Sequence, residues 1–240
     1  MKKIVVIGGG PGGYVAAIRA AQLGAEVHLA ESGHIGGTCL NVGCIPTKAI
    51  LHTAELYREL TGNSHLGLKT TGLEIDWPGV MQHKNSVVER LVKGVEGLLK
   101  ANGVTIHRGV ATLKDAKTVV VTGDKTVHIS ADTVILALGS EPVRLNFPGA
   151  ELPGVIDSTA ALSLPSIPSS LAILGGGVIG VEFAAMYRAF GAEVTVVEML
   201  PEILPPVDRE IAQQVRQELA RQGVKFMTGA KLTGVARQGN

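Results

Sequence analysis

Two short apolar runs, at residues 4–7 and 171–174, open two stretches of the chain that follow the same pattern. Uninterrupted apolar runs of this length are typical of strands buried on both faces of a parallel sheet. Each run is followed by a glycine-rich turn, an alanine-rich helical segment, a glycine break and a second apolar run that ends in glutamate. Each stretch is therefore predicted to form a strand–helix–strand unit.

The two stretches form an internal repeat. Residues 8–31 and 175–198 align without a gap at an offset of 167 positions, and ten of the 24 aligned pairs are identical. Units this far apart in sequence do not stack as a solenoid, so we predict two α/β domains of the Rossmann-like, three-layer type. Five prolines between residues 142 and 168 indicate a linker. We therefore place the first domain at residues 1–145 and the second at residues 146–240.

Other periodic segments predict the remaining elements. Apolar residues at helical spacing predict a helix over residues 85–101, beginning at a capping box of Ser86 and Glu89. Short runs rich in β-branched residues predict strands at 104–106, 118–121, 126–129 and 133–138. An amphipathic helix is predicted at residues 208–221, closed by Gly223 and followed by a strand through Phe226.

Composition and charge exclude several classes of protein. Twenty-two Lys and Arg residues against 21 Asp and Glu residues leave a net charge of +1, which gives no basic footprint for nucleic acid. The uncharged stretch of residues 4–18 is too short and too broken by glycines to span a membrane, and Gly8 to Gly13 interrupt what would be the apolar core of a signal peptide. We therefore expect a cytoplasmic protein whose two cysteines lie in a reducing compartment.

Both repeats carry the pattern Gly-x-Gly-x-x-Gly where the strand meets the helix. In this pattern the first glycine permits the turn, the second lets the backbone approach a pyrophosphate, and the third allows close packing of the helix. The glycines are Gly8, Gly10 and Gly13 in the first repeat and Gly175, Gly177 and Gly180 in the second. Glu31 and Glu198 each follow 23 positions after the first glycine, where a carboxylate accepts ribose hydroxyls. Because a carboxylate repels a 2′-phosphate, the second site is predicted to prefer NAD to NADP.

The two cysteines, Cys39 and Cys44, directly follow the first strand that ends in glutamate. Pro46 is tolerated in the first turn of a helix, so Cys44 is predicted to lie at a helix N-terminus. The amides and dipole there, with Lys48 one turn later, would stabilise a thiolate. Gly43 eases the turn that would let the two sulfurs meet.

Three interpretations of the cysteine pair stay open at this point. A redox-active disulfide is the one we favour. A zinc site would need His34 and His52 as further ligands, and their spacing matches no usual zinc pattern. Two inert buried thiols are the third interpretation.

The segment GGTCLNVGCIPTK (residues 36–48) resembles the redox signature of the flavin-dependent disulfide oxidoreductases, and the chain is most similar to the dihydrolipoamide dehydrogenases among them. The likeness extends over all 240 residues and includes LGGGVIGVEF (174–183) and VTVVEMLPEILPPVD (194–208). It implies that the first domain binds FAD and the second binds NAD. It also implies that dihydrolipoamide is oxidised with NAD⁺ through a Cys39–Cys44 disulfide and FAD.

The resemblance also implies roles for single residues. Cys39 would be the interchange thiol that meets the dithiol substrate, and Cys44 would lie against the flavin. Lys48 would reach the flavin and pair with Glu182 beside the nicotinamide. The other matching cofactor-binding positions are Gly8, Gly10, Gly13, Glu31, Thr38, Ala111, Gly139 and Ser140 for FAD, and Gly175, Gly177, Val178, Gly180, Glu198 and Leu232 for NAD. No metal ligand is assigned. Leu138 stands where the family usually has threonine, and we interpret it as a packing residue.

Partners and a longer chain are implied as well. The partners would be dihydrolipoamide on lipoylated carrier proteins of 2-oxoacid dehydrogenase or glycine cleavage complexes, and a second copy in a homodimer. The family's general base, its second FAD segment and its dimer-interface domain are not found in these 240 residues. The second domain is therefore expected to be incomplete, and this chain is expected to hold FAD weakly and to turn over little lipoamide. The alternatives are a mercuric-reductase-like flavoenzyme and a non-catalytic nucleotide-binding fragment.

Overall fold

The structure is a computed structural model that describes residues 1–62, 67 and 71–238. The chain divides into two compact units, of which the first comprises Met1–Pro46 and Asn85–Glu141 and the second Thr47–Lys84 and Pro142–Asn240. The boundary at residue 141 lies close to the predicted one at residue 145, whereas the grouping of residues 47–84 with the second unit was not predicted. Which cofactor each unit binds stays a prediction.

The helices and strands follow one another in the order that two strand–helix–strand repeats require. In chain order they are β1 (Lys3–Ile7), α1 (Pro11–Gln22), β2 (Glu26–Glu31), α2 (Gly37–Val42), α3 (Cys44–Gly62), α4 (Trp77–Ala101), β3 (Thr105–Arg108), β4 (Val110–Asp115), β5 (Thr118–Thr122), β6 (Thr126–Ser130), β7 (Thr133–Leu136), α5 (Ser158–Ala161), β8 (Ser170–Leu174), α6 (Val178–Ala189), β9 (Glu193–Glu198), α7 (Arg209–Arg221) and β10 (Lys225–Thr228).

The first unit has three layers. Its central layer is a parallel sheet in the order β3-β2-β1-β7, in which Lys3 is in register with Glu26 and Ile4 with Thr133. One face of this sheet packs against helical residues such as Ala17 and Leu99. The other face packs against the antiparallel sheet β4-β5-β6. Because side chains alternate along a strand, successive apolar residues of β1 serve both faces, which explains its uninterrupted apolar run.

The second unit is built on a parallel sheet in the order β10-β9-β8. Its core combines the inner faces of α6 and β9 with Trp77, the one tryptophan of the chain. The parallel sheets of both units confirm the predicted α/β class.

Side-chain donors anchor the end of α5 in the proline-rich stretch of the second unit. The carbonyl groups there accept hydrogen bonds from three buried or half-buried side chains: Tyr187 Oη donates to Ala161, Lys84 Nζ to Leu162 at 2.9 Å, and Trp77 Nε1 to Leu164 at 2.9 Å. These bonds replace water at carbonyls that α5 leaves unpaired.

The structure departs from the predictions at the start of one helix and in one strand that was not predicted. α4 begins at Trp77, where the Asp76 carboxylate accepts a 3.1 Å bond from the Gly79 amide, so the predicted start at the Ser86 and Glu89 capping box is wrong. β4 was not predicted, because its mostly exposed residues carry no apolar alternation. α7 agrees with the prediction, since the Asp208 side chain caps its first turn. Within the part of the chain that the structure describes, no helix has the length and apolarity needed to cross a membrane.

Candidate functional site

The first phosphate-binding turn joins β1 to α1, and its glycines are needed for different reasons. Gly8 has a φ of +106°, in the left-handed region that favours glycine. A methyl group on Gly13 would overlap the Gly8 carbonyl oxygen, so α1 packs this closely only with glycine there. Gly10 is the N-cap of α1, and a methyl group there would meet the Gly37 Cα at an ordinary 3.7 Å. Gly10 therefore keeps space open in front of the first helical amides.

The second turn, between β8 and α6, repeats this arrangement. Gly175 has a φ of +107°, and a methyl group on Gly180 would overlap the Gly175 carbonyl oxygen. At Gly177, the N-cap of α6, no atom among the described residues, apart from its neighbours along the chain, lies within 4 Å of a methyl group placed there. Open space next to unpaired helical amides is what a pyrophosphate requires.

The carboxylate of Glu31 is oriented by two backbone amides. Its Oε2 accepts a bond of 2.6 Å from the Gly9 amide, and its Oε1 accepts one of 2.6 Å from the Gly33 amide. Each carboxylate oxygen has a further lone pair, so both oxygens can still accept a ribose hydroxyl. The residues of the first turn therefore fit the adenosine and pyrophosphate parts of a dinucleotide.

Glu198 is held in the same way in the second unit. Its Oε2 accepts from the Gly176 amide at 2.6 Å, and its Oε1 accepts from the Leu200 amide at 2.7 Å. The two glutamates match in their bonds as well as in their sequence positions, so the second turn fits a dinucleotide on the same grounds.

The structural repeat continues beyond the aligned sequences, into the loop that follows each glutamate. In the first unit the Gly36 amide donates to the Gly9 carbonyl at 2.8 Å, and Gly36 has a φ of +96°. In the second unit the Leu204 amide donates to the Gly176 carbonyl at 2.8 Å, and Leu204 has a φ of +52°. The sequence alignment missed this correspondence because the second loop is one residue longer.

The cysteines lie at the meeting point of two helices in the first unit. Cys39 is on α2, Cys44 is the first residue of α3, and Gly43 alone separates the helices. This confirms the predicted helix N-terminus at Cys44. A methyl group on Gly43 would lie 2.8 Å from the Thr38 carbonyl oxygen and 3.3 Å from the Cys39 Cα. The chain therefore folds back this closely only because residue 43 is glycine. Both cysteines are thiols, and Cys44 is the more exposed of the two.

Lys48 and Glu182 form an ion pair within the second unit. The Lys48 Nζ contacts a carboxylate oxygen of Glu182, with the lysine side chain 57% exposed and the glutamate 27% exposed. Glu182 lies one turn after Val178, the half-exposed first residue of α6. The structure thus brings together the two side chains that the resemblance pairs, and their catalytic roles stay predictions.

The other predicted cofactor-binding residues occupy loops and strand ends of the two units. Ser140 follows β7, and its carbonyl accepts a 3.4 Å bond from Thr38 Oγ1. Ala111 lies on β4 and packs against the core, while Leu232 follows β10 and is half-buried. Leu138 is 69% exposed, so its interpretation as a packing residue is wrong. β7 ends at Leu136, and the following turn leaves this side chain without a packing surface.

The zinc interpretation finds no support in the structure. Among the described residues, no group of three or more His, Cys, Asp or Glu side chains could hold a metal ion.

Sequence reasoning missed a polar chain across the first unit's parallel sheet. His28 Nδ1 and His107 Nε2 lie 2.9 Å apart, and His28 Nε2 lies 3.0 Å from Glu26 Oε1. Glu26 also pairs with Lys3 at 2.9 Å. The signal that could have found Glu26 and His28 is their i, i+2 spacing, which places both on one face of β2. Burial and the neighbouring His28 lower the pKa of His107.

A second feature that the sequence did not reveal is an ion pair between α7 and the loop that follows Glu198. Arg216 donates from Nε to Glu202 Oε1 at 2.7 Å and from a terminal nitrogen to Glu202 Oε2 at 3.2 Å. These hydrogen bonds from the Arg216 guanidinium hold the pKa of the Glu202 carboxyl below its usual value. The two residues are fourteen positions apart and come together only through the path of the loop between β9 and α7.

The comparisons with known proteins agree with this geometry. The pyridine nucleotide-disulphide oxidoreductase family matches the chain over residues 2–240. A dihydrolipoyl dehydrogenase of Geobacillus stearothermophilus is 44% identical over 232 residues, which are 96% of this chain and 49% of that protein. A dihydrolipoyl dehydrogenase of Pseudomonas aeruginosa is 45% identical over 242 residues, covering 98% of this chain and 52% of that protein.

A solved structure with the same fold is the HOCl-induced flavoprotein disulfide reductase RclA from Escherichia coli. It superposes with a TM-score of 0.84 at 33% sequence identity, covering 99% of this chain and 51% of that chain. The chain thus spans about half the length of the relatives that it matches. A family that uses pyridine nucleotides and a neighbour that is a flavoprotein agree with the predicted cofactors NAD and FAD.

Proposed function

Because the chain belongs to the pyridine nucleotide-disulphide oxidoreductase family, we propose that it serves a flavin-dependent disulfide oxidoreduction in which dihydrolipoamide is oxidised with NAD⁺. The proposed redox centre is the pair Cys39 and Cys44. Since the chain spans about half of its curated relatives, the substrate and the complete reaction belong to this proposal.

The observation that carries the proposal is the close approach of the chain at Gly43. The backbone of residue 43 lies so close to the backbone of Thr38 and Cys39 that a Cβ atom would not fit between them. Two inert thiols would not need this constraint, whereas a disulfide needs Cα atoms within about 7 Å of each other. Cys44 also begins a helix, next to backbone amides that have no acceptor within the helix.

In the proposed exchange the cysteines act in a fixed order. A thiolate of dihydrolipoamide attacks Sγ of Cys39 in the Cys39–Cys44 disulfide, the disulfide bond breaks, and Cys44 leaves as a thiolate. The second thiolate of the substrate then attacks the substrate sulfur of this mixed disulfide, which releases Cys39 and closes the ring of lipoamide. Two electrons and two protons thereby leave the dithiol, and both cysteines end in the reduced state.

The residues of the two turns are proposed to hold the cofactors. FAD would be held by the first turn, Glu31, Thr38, Ala111, Gly139 and Ser140, and NAD by the second turn, Val178, Glu182, Glu198 and Leu232. When bound, these cofactors supply the two-electron acceptor chemistry that reoxidises the cysteine pair. The ion pair of Lys48 and Glu182 would hold a positive and a negative charge in contact with each other. The Glu198 carboxylate would accept the ribose hydroxyls of NAD and repel the 2′-phosphate of NADP.

The proposed partners follow from the substrate. Dihydrolipoamide would be presented on lipoylated carrier proteins of 2-oxoacid dehydrogenase or glycine cleavage complexes, to a homodimeric assembly in the cytoplasm. The relatives named dihydrolipoyl dehydrogenase support this choice of substrate.

The first experiment measures the reactivity of each cysteine towards N-ethylmaleimide, by peptide mass spectrometry, with and without added FAD. Cys44 is the more exposed thiol in the structure and should react faster in the absence of FAD. We expect FAD to slow the alkylation of Cys44 at least tenfold and to leave Cys39 reactive. Gly10→Val, which fills the space before α1, is the matched control in which FAD should protect neither cysteine. Equal protection of both cysteines by FAD, or stronger protection of Cys39, would refute the assigned order.

A second experiment identifies the sulfur that meets the substrate. Cys44→Ser cannot release Cys39 by internal exchange, so lipoamide should form a mixed disulfide on Cys39, which alkylation of the substrate's free thiol with N-ethylmaleimide preserves because that thiol can then no longer close the lipoamide ring. Cys39→Ser should collect less of the corresponding adduct on Cys44 when FAD is present. Preferential lipoamide labelling of Cys44 would contradict the mechanism.

A further inference from the structure

The loop of residues 199–208, between β9 and α7, closes over the second phosphate-binding turn. The Leu204 amide donates to the Gly176 carbonyl at 2.8 Å. Ile203 is 1% exposed, and a methyl group on Gly176 would lie 2.8 Å from its Cγ2 and 3.2 Å from the Glu198 Cβ. Because the Gly176 amide in turn donates to Glu198, a displacement of the loop would displace the carboxylate as well.

Leu204 holds this position without the conformational freedom of glycine. It is the one non-glycine residue with a positive φ in the part of the chain that the structure describes, and Gly36 takes its place in the first unit. A leucine stays in this region only when its surroundings determine its conformation. The loop must therefore be held from outside the turn itself.

Glu202 and Arg216 provide that hold. Their two parallel hydrogen bonds, at 2.7 and 3.2 Å, form the bidentate geometry that gives arginine–carboxylate pairs their strength. The side chains are 15% and 35% exposed, so water competes only in part. Glu202 Oε1 also accepts from the Ile203 amide at 3.0 Å, which ties the pair directly to the residue that covers Gly176.

The anchor for this pair is a well-defined helix. Arg216 lies inside α7, whose first turn is capped by bonds from the Glu210 and Ile211 amides to Asp208. Arg221, on the same helix, does not share this role: the Arg221–Glu218 pair is 72% and 55% exposed and joins two residues of α7.

We propose that Glu202 and Arg216 are a positioning pair that sets the preference of the second nucleotide site for NAD over NADP. The inference rests on the proposed function, in which Glu198 accepts the ribose hydroxyls. The pair fixes the loop, and the loop fixes both amides that orient Glu198, those of Gly176 and Leu200. Loosening the loop withdraws the oriented carboxylate from NAD. NADP gains nothing from this carboxylate, so its binding should change little.

The test measures dissociation constants of NADH and NADPH for the 240-residue chain, from the fluorescence of the reduced nicotinamide. We take the ion pair to keep the loop in the conformation that binds NADH. A variant that lowers the population of this conformation tenfold then raises the NADH dissociation constant about tenfold. We therefore expect Arg216→Gln to raise the NADH constant about tenfold and the NADPH constant less than twofold. Arg216→Lys, which keeps the charge but not the fork, should give an intermediate NADH constant. The matched control Arg221→Gln should change neither constant.

The outcomes distinguish a failure of the positioning role of Glu202 and Arg216 from a failure of the proposed nucleotide site. Trp77 emission and the urea midpoint establish that each variant is folded, and Arg216→Lys carries the test if Arg216→Gln is not. An unchanged NADH constant, or equal losses of NADH and NADPH, would overturn the positioning role and leave the proposed function standing. NADH binding that is absent from the unsubstituted chain, or unaffected by Glu198→Ala, would overturn the proposed nucleotide site and this inference with it.

Discussion

Adding one methyl group at Gly43 should force the two cysteines apart. In Gly43→Ala the new Cβ would lie 2.8 Å from the Thr38 carbonyl oxygen and 3.3 Å from the Cys39 Cα, and both neighbours are backbone atoms. Since backbone atoms cannot swing aside, the start of α3 must move away from α2 by roughly half an ångström. Cys44, the first residue of α3, would move with it.

The cost of this movement differs between the two redox states. The dithiol form can let the cysteines separate and so relieve the contact, whereas a disulfide keeps their Cα atoms within about 7 Å. Forcing an extra carbon into a packed position costs about 1–3 kcal/mol. If the disulfide form alone bears this cost, its two-electron reduction potential rises by about 20–65 mV, because 30 mV corresponds to about 1.4 kcal/mol.

The potential is measured by equilibrating the chain with mixtures of dihydrolipoamide and lipoamide, alkylating the thiols and counting the adducts by mass spectrometry. Gly97→Ala is the matched control, because it makes the same substitution on α4, where no described atom outside the adjacent turns of the helix lies within 4 Å of the new methyl group. Its potential should equal that of the parent. A Gly43→Ala potential within about 10 mV of the Gly97→Ala value would refute the idea that this close approach favours the disulfide.

Three further predictions concern stability. Asp208→Ala removes the N-cap of α7 and should lower the free energy of unfolding by about 1 kcal/mol in urea titrations followed by Trp77 fluorescence; no change would mean that water replaces the cap. Burial raises the pKa of Tyr187 from 10.0 to about 12, so the stability from this group is full below pH 10 and falls by about 1.4 kcal/mol per pH unit from there towards pH 12. Tyr187→Phe should show a shallower alkaline loss of its urea midpoint, and an unchanged slope would contradict this assignment. Burial and His28 lower the pKa of His107 below 6.5, so the stability that this group contributes is full above pH 6.5 and is lost on acidification. The His107→Gln variant should therefore lose less stability than the parent below pH 6.5, as followed by far-UV circular dichroism. An equal loss in both proteins would exclude His107 as the cause.

Local patterns in the sequence predicted the elements that repeat. The apolar runs at residues 4–7 and 171–174 became β1 and β8 because strands covered on both faces leave no place for polar residues. The glycine spacing predicted both turns, since a turn of this kind constrains residues that are neighbours in the chain. Asp208 as the cap of α7 could be read in the same way, because a cap and the amides it satisfies lie within one turn.

Predictions failed where exposure or burial depends on distant parts of the chain. The start of α4 was placed at Ser86, but the helix extends back to Trp77 because its first turns find a core among residues of α6 that lie about a hundred positions later. Leu138 was expected to pack, and the turn after β7 leaves it 69% exposed. A hydrophobicity pattern records what a residue prefers, and tertiary structure decides whether a surface is there to meet it.

What the sequence alone determined about this protein is its two nucleotide-binding turns, their glutamates, the cysteine loop and the family to which they point, since each depends on residues at short fixed spacings. The tertiary structure decided which distant side chains meet: Lys48 with Glu182, His28 with His107, and Glu202 with Arg216. It also decided that Leu204, without the freedom of glycine, closes the second turn as Gly36 closes the first. The physical reason is that such contacts are selected by the packing of whole elements, because a hydrogen bond or ion pair forms only between groups that the fold has already brought within about 3 Å.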